Sequence, residues 1–251
     1  MMNNERFNKW FNAFILIGMT AVMVITTAIK MNTAETGQAL LIVAAFGALM
    51  GVLSTVCSAN AKILTFLFGF FDVSLYGIMC FIDGKYGNAA LHMLYFVPMQ
   101  FVGFFQWRKR GAGSHDKMKA RRFKGKQWLW YSLLFLAGLA VSYLILDHIG
   151  KSAYVGQDAT VVSALKLAVL MDAFSTMCNI LGQLLMSTAY MEQWFFWIGV
   201  NISSVIMWSI SLAHSSDSYA LIYLIKYSFY LLNSLNGLRI WWNLSKPQES
   251  A

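Results

Sequence analysis

Residues 11–29, 39–57, 63–82, 89–107, 128–146, 161–189, 194–213 and 219–242 are long apolar runs interrupted by few charges. A helix needs about 20 mostly apolar residues to cross the hydrocarbon of a bilayer, more than a soluble core helix requires. Lipid admits only helices or closed barrels, because every backbone N–H and C=O must be paired without water. Barrel strands alternate apolar and polar residues, and that alternation is missing here. The expected fold is therefore an all-α polytopic membrane protein of about eight transmembrane helices.

Charge then orients the chain. The formal net charge is +8, which by itself would suggest nucleic acid. Most of it lies in one short loop between the fourth and fifth spans: Arg108, Lys109, Arg110, Lys117, Lys119, Arg121, Arg122, Lys124 and Lys126, opposed only by Asp116. A cluster of this kind stays on the cytoplasmic side of a membrane, so the charge marks topology and no nucleic-acid partner is expected. With eight spans both termini are then cytoplasmic, in keeping with Arg6, Lys9 and Lys246. The outer loops carry balanced or acidic charge: Asp83 with Lys85, Asp147 and Asp158 with Lys151, and Asp217. The first span has no small-residue cleavage site and is read as retained.

An internal repeat organises the spans. Ser54-Thr55-Val56-Cys57 recurs as Ser175-Thr176-Met177-Cys178, and Gly103-x-x-x-Trp107 as Gly237-x-x-x-Trp241, in the same order. This predicts two parallel three-helix repeats joined by a linker helix, with an extra N-terminal helix. The expected boundaries are 1–36 for the N-terminus and first helix, 37–107 for the first repeat and 108–126 for the basic loop. The linker helix and an outer loop take 127–160, the second repeat 161–242 and the tail 243–251.

Enzyme signatures such as H-E-x-x-H, G-x-S-x-G or a Walker loop are missing. Cys57, Cys80 and Cys178 form no C-x-x-C pair and the four histidines are scattered, so neither a metal site nor a cofactor is expected. Polar residues inside the spans are the informative ones, since each is costly in lipid unless it faces protein or water. Asp72 and Asp172 qualify, as substrate or ion contacts or as partners of Lys166 or Lys226. In the fourth span Pro98 removes a backbone donor and predicts a hinge, with Tyr95, Gln100 and Gly103 within a turn or two. Tyr227, Tyr230, Asn233, Asn236 and Gly237 form the matching stripe in the eighth.

The densest constellation is residues 192–201, Glu-Gln-Trp-Phe-Phe-Trp-Ile-Gly-Val-Asn. On a helix Trp194, Trp197 and Asn201 share one face, offering two indoles for a flat or cationic ring and an amide for hydroxyls. Glu192 and Gln183 are further candidates. The alternative is a membrane-interface aromatic belt with Glu192 marking the water boundary.

The run Glu192-x-Trp194-x-x-Trp197-x-x-x-Asn201, the segment Gln100-x-x-Gly103-x-x-x-Trp107 and the closing Gly237-x-x-x-Trp241 resemble the PnuC family of bacterial nicotinamide riboside transporters. The resemblance covers both repeats and leaves out the first span. It implies a three-one-three arrangement similar to the SWEET transporters, in a bacterial inner membrane. It also implies uptake of unphosphorylated nicotinamide riboside by facilitated diffusion, with a cytoplasmic nicotinamide riboside kinase trapping the cargo for NAD synthesis. Related family members carry thiamin or riboflavin, which leaves the cargo open on residue chemistry alone. An intramembrane enzyme and a non-transporting receptor are the rivals from other classes. The sequence does not decide between a monomer and a homo-oligomer.

Overall fold

The structure is a computed structural model that describes residues 2–33, 38–82, 84, 86–113, 118–214 and 218–246. Asp83, Lys85, Asp116, Lys117 and Asp217 lie outside the described residues. The helices are α1 (Met2–Thr33), α2 (Gln38–Ala59), α3 (Leu64–Ile82), α4 (Tyr86–Leu91), α5 (Val97–Arg108), α6 (Lys126–Gly150), α7 (Ala159–Ser187), α8 (Gln193–His214) and α9 (Ser218–Leu244). A π-helical turn, His92–Phe96, joins α4 to α5. Among the described residues α1, α2, α3, α6 and α7 are long and apolar enough to cross a membrane. Helices α8 and α9, with 22 and 27 residues, have the length, but spend part of their hydropathy on residues such as Asn201, Lys226, Asn233 and Asn236.

The fourth span is composite, and the reason sits at Pro98. Without an N–H, Pro98 cannot close onto the carbonyl of Leu94. The chain widens into the π turn just before it, where the Val97 N–H bonds to His92 O, and α5 starts afresh with the proline in its first turn. The irregularity expected at Pro98 is thus spread over the preceding turn, a common way for a helix to absorb a break.

Six segments close a ring. Helix α2 packs on α3, α3 on α5, α5 on α7, α7 on α8, α8 on α9, and α9 returns to α2. Helix α1 stands outside against α2 and α9, and α6 outside against α7. Helix α6 has no buried residue, and it makes its contact through Gly138, which leaves space for Met177. At one end of the bundle α1 is pinned by polar groups. Asn12 and Asn60 exchange amide hydrogen bonds of 2.9 and 3.0 Å, and the Arg239 guanidinium donates to both Asn8 and Asn236.

The turn from α2 to α3 is repeated from α7 to α8. Ala61 and Ala189 both adopt left-handed backbone, with φ of 53° and 62°, at a cost of roughly 1–2 kcal/mol each for a residue bearing a β-carbon. The Ala61 N–H donates to Ser58 O at 3.0 Å and the Ala189 N–H to Met186 O at 3.0 Å. The next N–H in each turn, Lys62 and Tyr190, reaches back to Cys57 O and Leu185 O. The third helices agree with this register. The indole of Trp107 donates to Met186 O at 2.7 Å and that of Trp241 to Ser58 O at 2.9 Å, so each crosses to the opposite half.

This register corrects the pairing drawn from Ser54–Cys57 and Ser175–Cys178. The turns match Ser54 with Gly182, two helical turns from Ser175. A slip of seven residues nearly preserves the helix face, so the mismatched pairing still looked coherent in sequence. The Gly-x-x-x-Trp pairing of Gly103–Trp107 with Gly237–Trp241 agrees with the geometry.

The basic loop also has a structural role beyond its charge. Residues 118–125 form a strap across one end of the ring. The Arg121 N–H donates to Ala189 O at 2.7 Å and the Met191 N–H to Arg121 O at 2.9 Å, while the Ala120 N–H reaches Leu244 O and the Lys119 N–H reaches Arg110 O. Phe123 stacks on Tyr131 with ring centroids 4.5 Å apart. Arg121 lies over the ring of Tyr190 and Arg122 over Trp242.

Candidate functional site

The ring encloses a cavity of about 600 Å³. Stripes of small and polar residues build its wall. Helix α2 gives Gly51, Ser54, Thr55 and Ser58, and α7 gives Asp172, Ser175, Asn179 and Gln183. Both stripes recur at three- and four-residue spacing, the period that keeps side chains on one helix face. The fourth span adds Asn88, His92, Phe96 and Gln100, and α8 adds Trp194, Trp197 and Asn201. The π turn inserts between Leu91 and Phe96, and His92, Phe96 and Gln100 all reach the cavity through it.

Trp194 is only 2% exposed and is seated by Gly237, whose missing side chain leaves the space that the indole fills. The ring of Trp241 backs it, with centroids 6.3 Å apart. Trp197, one turn on, lies over Gly182, where a β-carbon would come within 3.1 Å of the indole. The counterpart of Trp197 in the other half is Gly69, beside which the Gln100 carbonyl lies 2.6 Å from where a β-carbon would sit. A ring system therefore occupies one side of the pseudo-symmetric cavity and an amide the other. A planar ligand with a polar edge would find both.

Three buried polar atoms on the lining have no hydrogen-bond partner among the described residues: Trp194 Nε1, Gln100 Oε1 and Ser58 Oγ. Native interiors rarely leave such groups unmet, and here they border a cavity. Gln100 spends its amide hydrogen on Phe96 O at 3.1 Å, and Asn201 donates to Ser234 Oγ at 2.8 Å. Gln183 is held by Ser187, whose hydroxyl donates in turn to Met99 O at 3.0 Å.

The structure brings nine of the candidate residues singled out in sequence onto one cavity: Trp194, Trp197, Asn201, Gln100, Gln183, Asp72, Asp172, Tyr227 and Tyr230. Four others are placed elsewhere. The Tyr95 hydroxyl donates to Ile180 O at 2.7 Å, and Asn233 donates to Thr55 O at 3.2 Å. The Asn236 carbonyl accepts from Arg239. Glu192 is 1% exposed, and its Oε1 accepts the Phe123 N–H at 2.9 Å, which turns it toward the strap. Helix-face spacing did not separate these because Glu192 begins the turn before α8, and Asn233 and Asn236 sit on flanks of α9 that meet other helices. Ser58, Asn88 and Asn179 went unnoticed, although the i, i+3 and i+7 stripe Gly51, Ser54, Ser58 carried a signal, and His92 stood out in sequence only as a histidine inside a span, a candidate for the intramembrane-enzyme alternative.

Of the alternatives open for Asp72 and Asp172, pairing with Lys166 or Lys226 is not found as an ion-pair contact among the described residues. Lys226 acts on Asp72 through space without an ion-pair contact, and the two share a second cavity of about 380 Å³ between α1, α2, α3 and α9. Asp72, Tyr76, Tyr230 and Gly51 line both cavities.

The family model described as nicotinamide mononucleotide transporter matches residues 41–243. The chain belongs to this family. Only α1 lies wholly outside the matched region. The nicotinamide riboside transporter PnuC of Neisseria mucosa is 33% identical, covering 81% of this chain and 73% of its own length. That of Haemophilus influenzae is 28% identical, covering 78% and 77%. Among solved structures, the crystal structure of the vitamin B3 transporter PnuC aligns with a TM-score of 0.64 at 28% identity, over 93% of this chain and 91% of that one. The all-helical membrane fold of the family is thus the fold of this chain.

Proposed function

We propose that this chain carries unphosphorylated nicotinamide riboside across a bacterial inner membrane by facilitated diffusion. The observation that carries the reading is the charge of the cavity wall. Two carboxylates, Asp72 and Asp172, border it alongside two indoles, and no lysine or arginine is among its described lining residues. Aromatic faces and carboxylates suit a pyridinium cation. A phosphate monoester carries roughly −1.5 to −2 charge at neutral pH and seeks arginine or lysine. The cavity therefore favours the riboside named for the relatives over the mononucleotide in the family's description. Riboflavin, with an uncharged ring, gains no charge attraction from the carboxylates. Thiamin is a cation as well, and the ribose hydroxyls, for which Gln100, Ser58 and Asn201 supply partners, separate it from the riboside.

The strap end is read as cytoplasmic, with both termini inside, on the basis of its cationic residues. Transport proceeds by alternating access: two parallel three-helix units rock about the cavity, and the π turn before Pro98 supplies a place to bend. A cytoplasmic kinase consumes the product and keeps the flow inward. Equilibrium binding to purified protein tests the cargo. Nicotinamide riboside binds saturably and its 5′-phosphate does not compete. Equal competition by the phosphate overturns the reading.

A further inference from the structure

The cavity is longer than one ligand needs. Along α7 its wall runs from Asp172 to Met186, about 21 Å at the rise of an α-helix. A heteroaromatic ring joined to a pentose measures roughly 10 Å from ordinary covalent dimensions. The indoles, Gln100 and Ser58 serve only the half nearer the strap.

The other half has its own chemistry. Asp172 makes no hydrogen bond, and no other charge acts on it, among the described residues. A carboxylate midway along a membrane-spanning helix without a protein partner points to a ligand or a water-filled path. On the fourth span, which lines the same cavity, the His92 Nδ1 lies 2.9 Å from Asn88 O. A carbonyl can only accept, so Nδ1 carries the hydrogen and a neutral ring leaves Nε2 as an acceptor. The imidazole is flanked by Tyr76 at 4.6 Å and Phe96 at 4.8 Å between centroids, giving a short row of tilted rings. Asn179 stands between the two halves. Aromatic faces thus line both halves of one cavity, and the half away from the strap adds the unpartnered carboxylate of Asp172.

We propose that the half of the cavity away from the strap is a second subsite, where Asp172 and the Tyr76–His92 ring pair hold a cationic heteroaromatic riboside before it passes to Trp194 and Trp197. The proposal rests on the transport reading above and adds an entry station to it. It gives Asp172 a role at the mouth, where attraction of a cation raises its local concentration, and separates capture from recognition of the ribose.

Equilibrium dialysis with radiolabelled nicotinamide riboside, taken to millimolar concentration on purified full-length protein, decides the matter. Wild type saturates at two equivalents, the second at least tenfold weaker, and Asp172→Asn saturates at one. The remaining equivalent also reports that the variant is folded. A wild type that stops at one equivalent, or an Asp172→Asn protein that still takes two, overturns the subsite and leaves the transport reading standing. No binding to wild type at any concentration overturns both.

Discussion

The indole of Trp194 occupies the volume that any side chain at Gly237 would need. Helix α8 therefore depends on α9 for the placement of its first aromatic residue, and α9 holds its own Trp241 behind that ring. Gly237→Val forces the indole toward the cavity or pushes the helices apart, an overpacking cost of about 1–3 kcal/mol. The expected result is a lowered unfolding midpoint together with at least tenfold weaker riboside binding, measured by calorimetry on purified protein. Binding at wild-type strength would mean that the indole does not contact the ligand.

Glu192 holds the strap through the Phe123 N–H. Its alanine variant leaves the Phe123 N–H without its acceptor, a loss of roughly 1.5–3 kcal/mol for a hydrogen bond to a charged group. Trypsin should then cut the Arg- and Lys-rich strap faster in Glu192→Ala than in wild type, while Glu192→Gln, which keeps a carbonyl acceptor, stays close to wild type. Unchanged proteolysis in the alanine variant would argue that the strap is held by its backbone bonds to Ala189 and Met191 alone.

Asp72 provides a test of charge recognition that does not alter ligand shape greatly. Asp72→Asn should weaken binding of oxidised nicotinamide riboside about tenfold, or about 1.4 kcal/mol, and affect the uncharged dihydro form much less. Equal losses for both forms would assign Asp72 a packing or hydrogen-bonding role.

Pro98 stands outside the cavity lining, behind the π turn. Pro98→Ala restores the N–H that can bond to the Leu94 carbonyl and favours a regular helix through this segment. Transport turnover should fall several-fold while the equilibrium dissociation constant stays within twofold. Lost affinity with normal turnover would contradict a bending role.

Much of this was legible in the chain. Apolar run length determines the helices, because lipid leaves the backbone no other way to pair. The Trp194–Trp197–Asn201 face follows from helical spacing, whereas the outward position of α6 had no signal in its sequence. Other features depend on register and on contacts distant in sequence. The π turn needs three-dimensional context beyond the presence of Pro98, and the Ser54–Ser175 pairing failed by two turns because helix faces nearly repeat every seven residues. Glu192 looked like a ligand in sequence since its partner, the Phe123 N–H, is a backbone group of a distant loop. The asymmetry between Trp197 and Gly69 became visible only once the Ala61 and Ala189 turns set the two halves in register.

The most direct test of the central claim is entry of radiolabelled nicotinamide riboside into liposomes that contain only the purified protein, with no ion gradient or voltage imposed. Saturable entry that stops at equal concentrations, is unaffected by ionophores and is not inhibited by the 5′-phosphate or by thiamin is the predicted result. No entry without a gradient, or inhibition by the 5′-phosphate as strong as by unlabelled riboside, would contradict it.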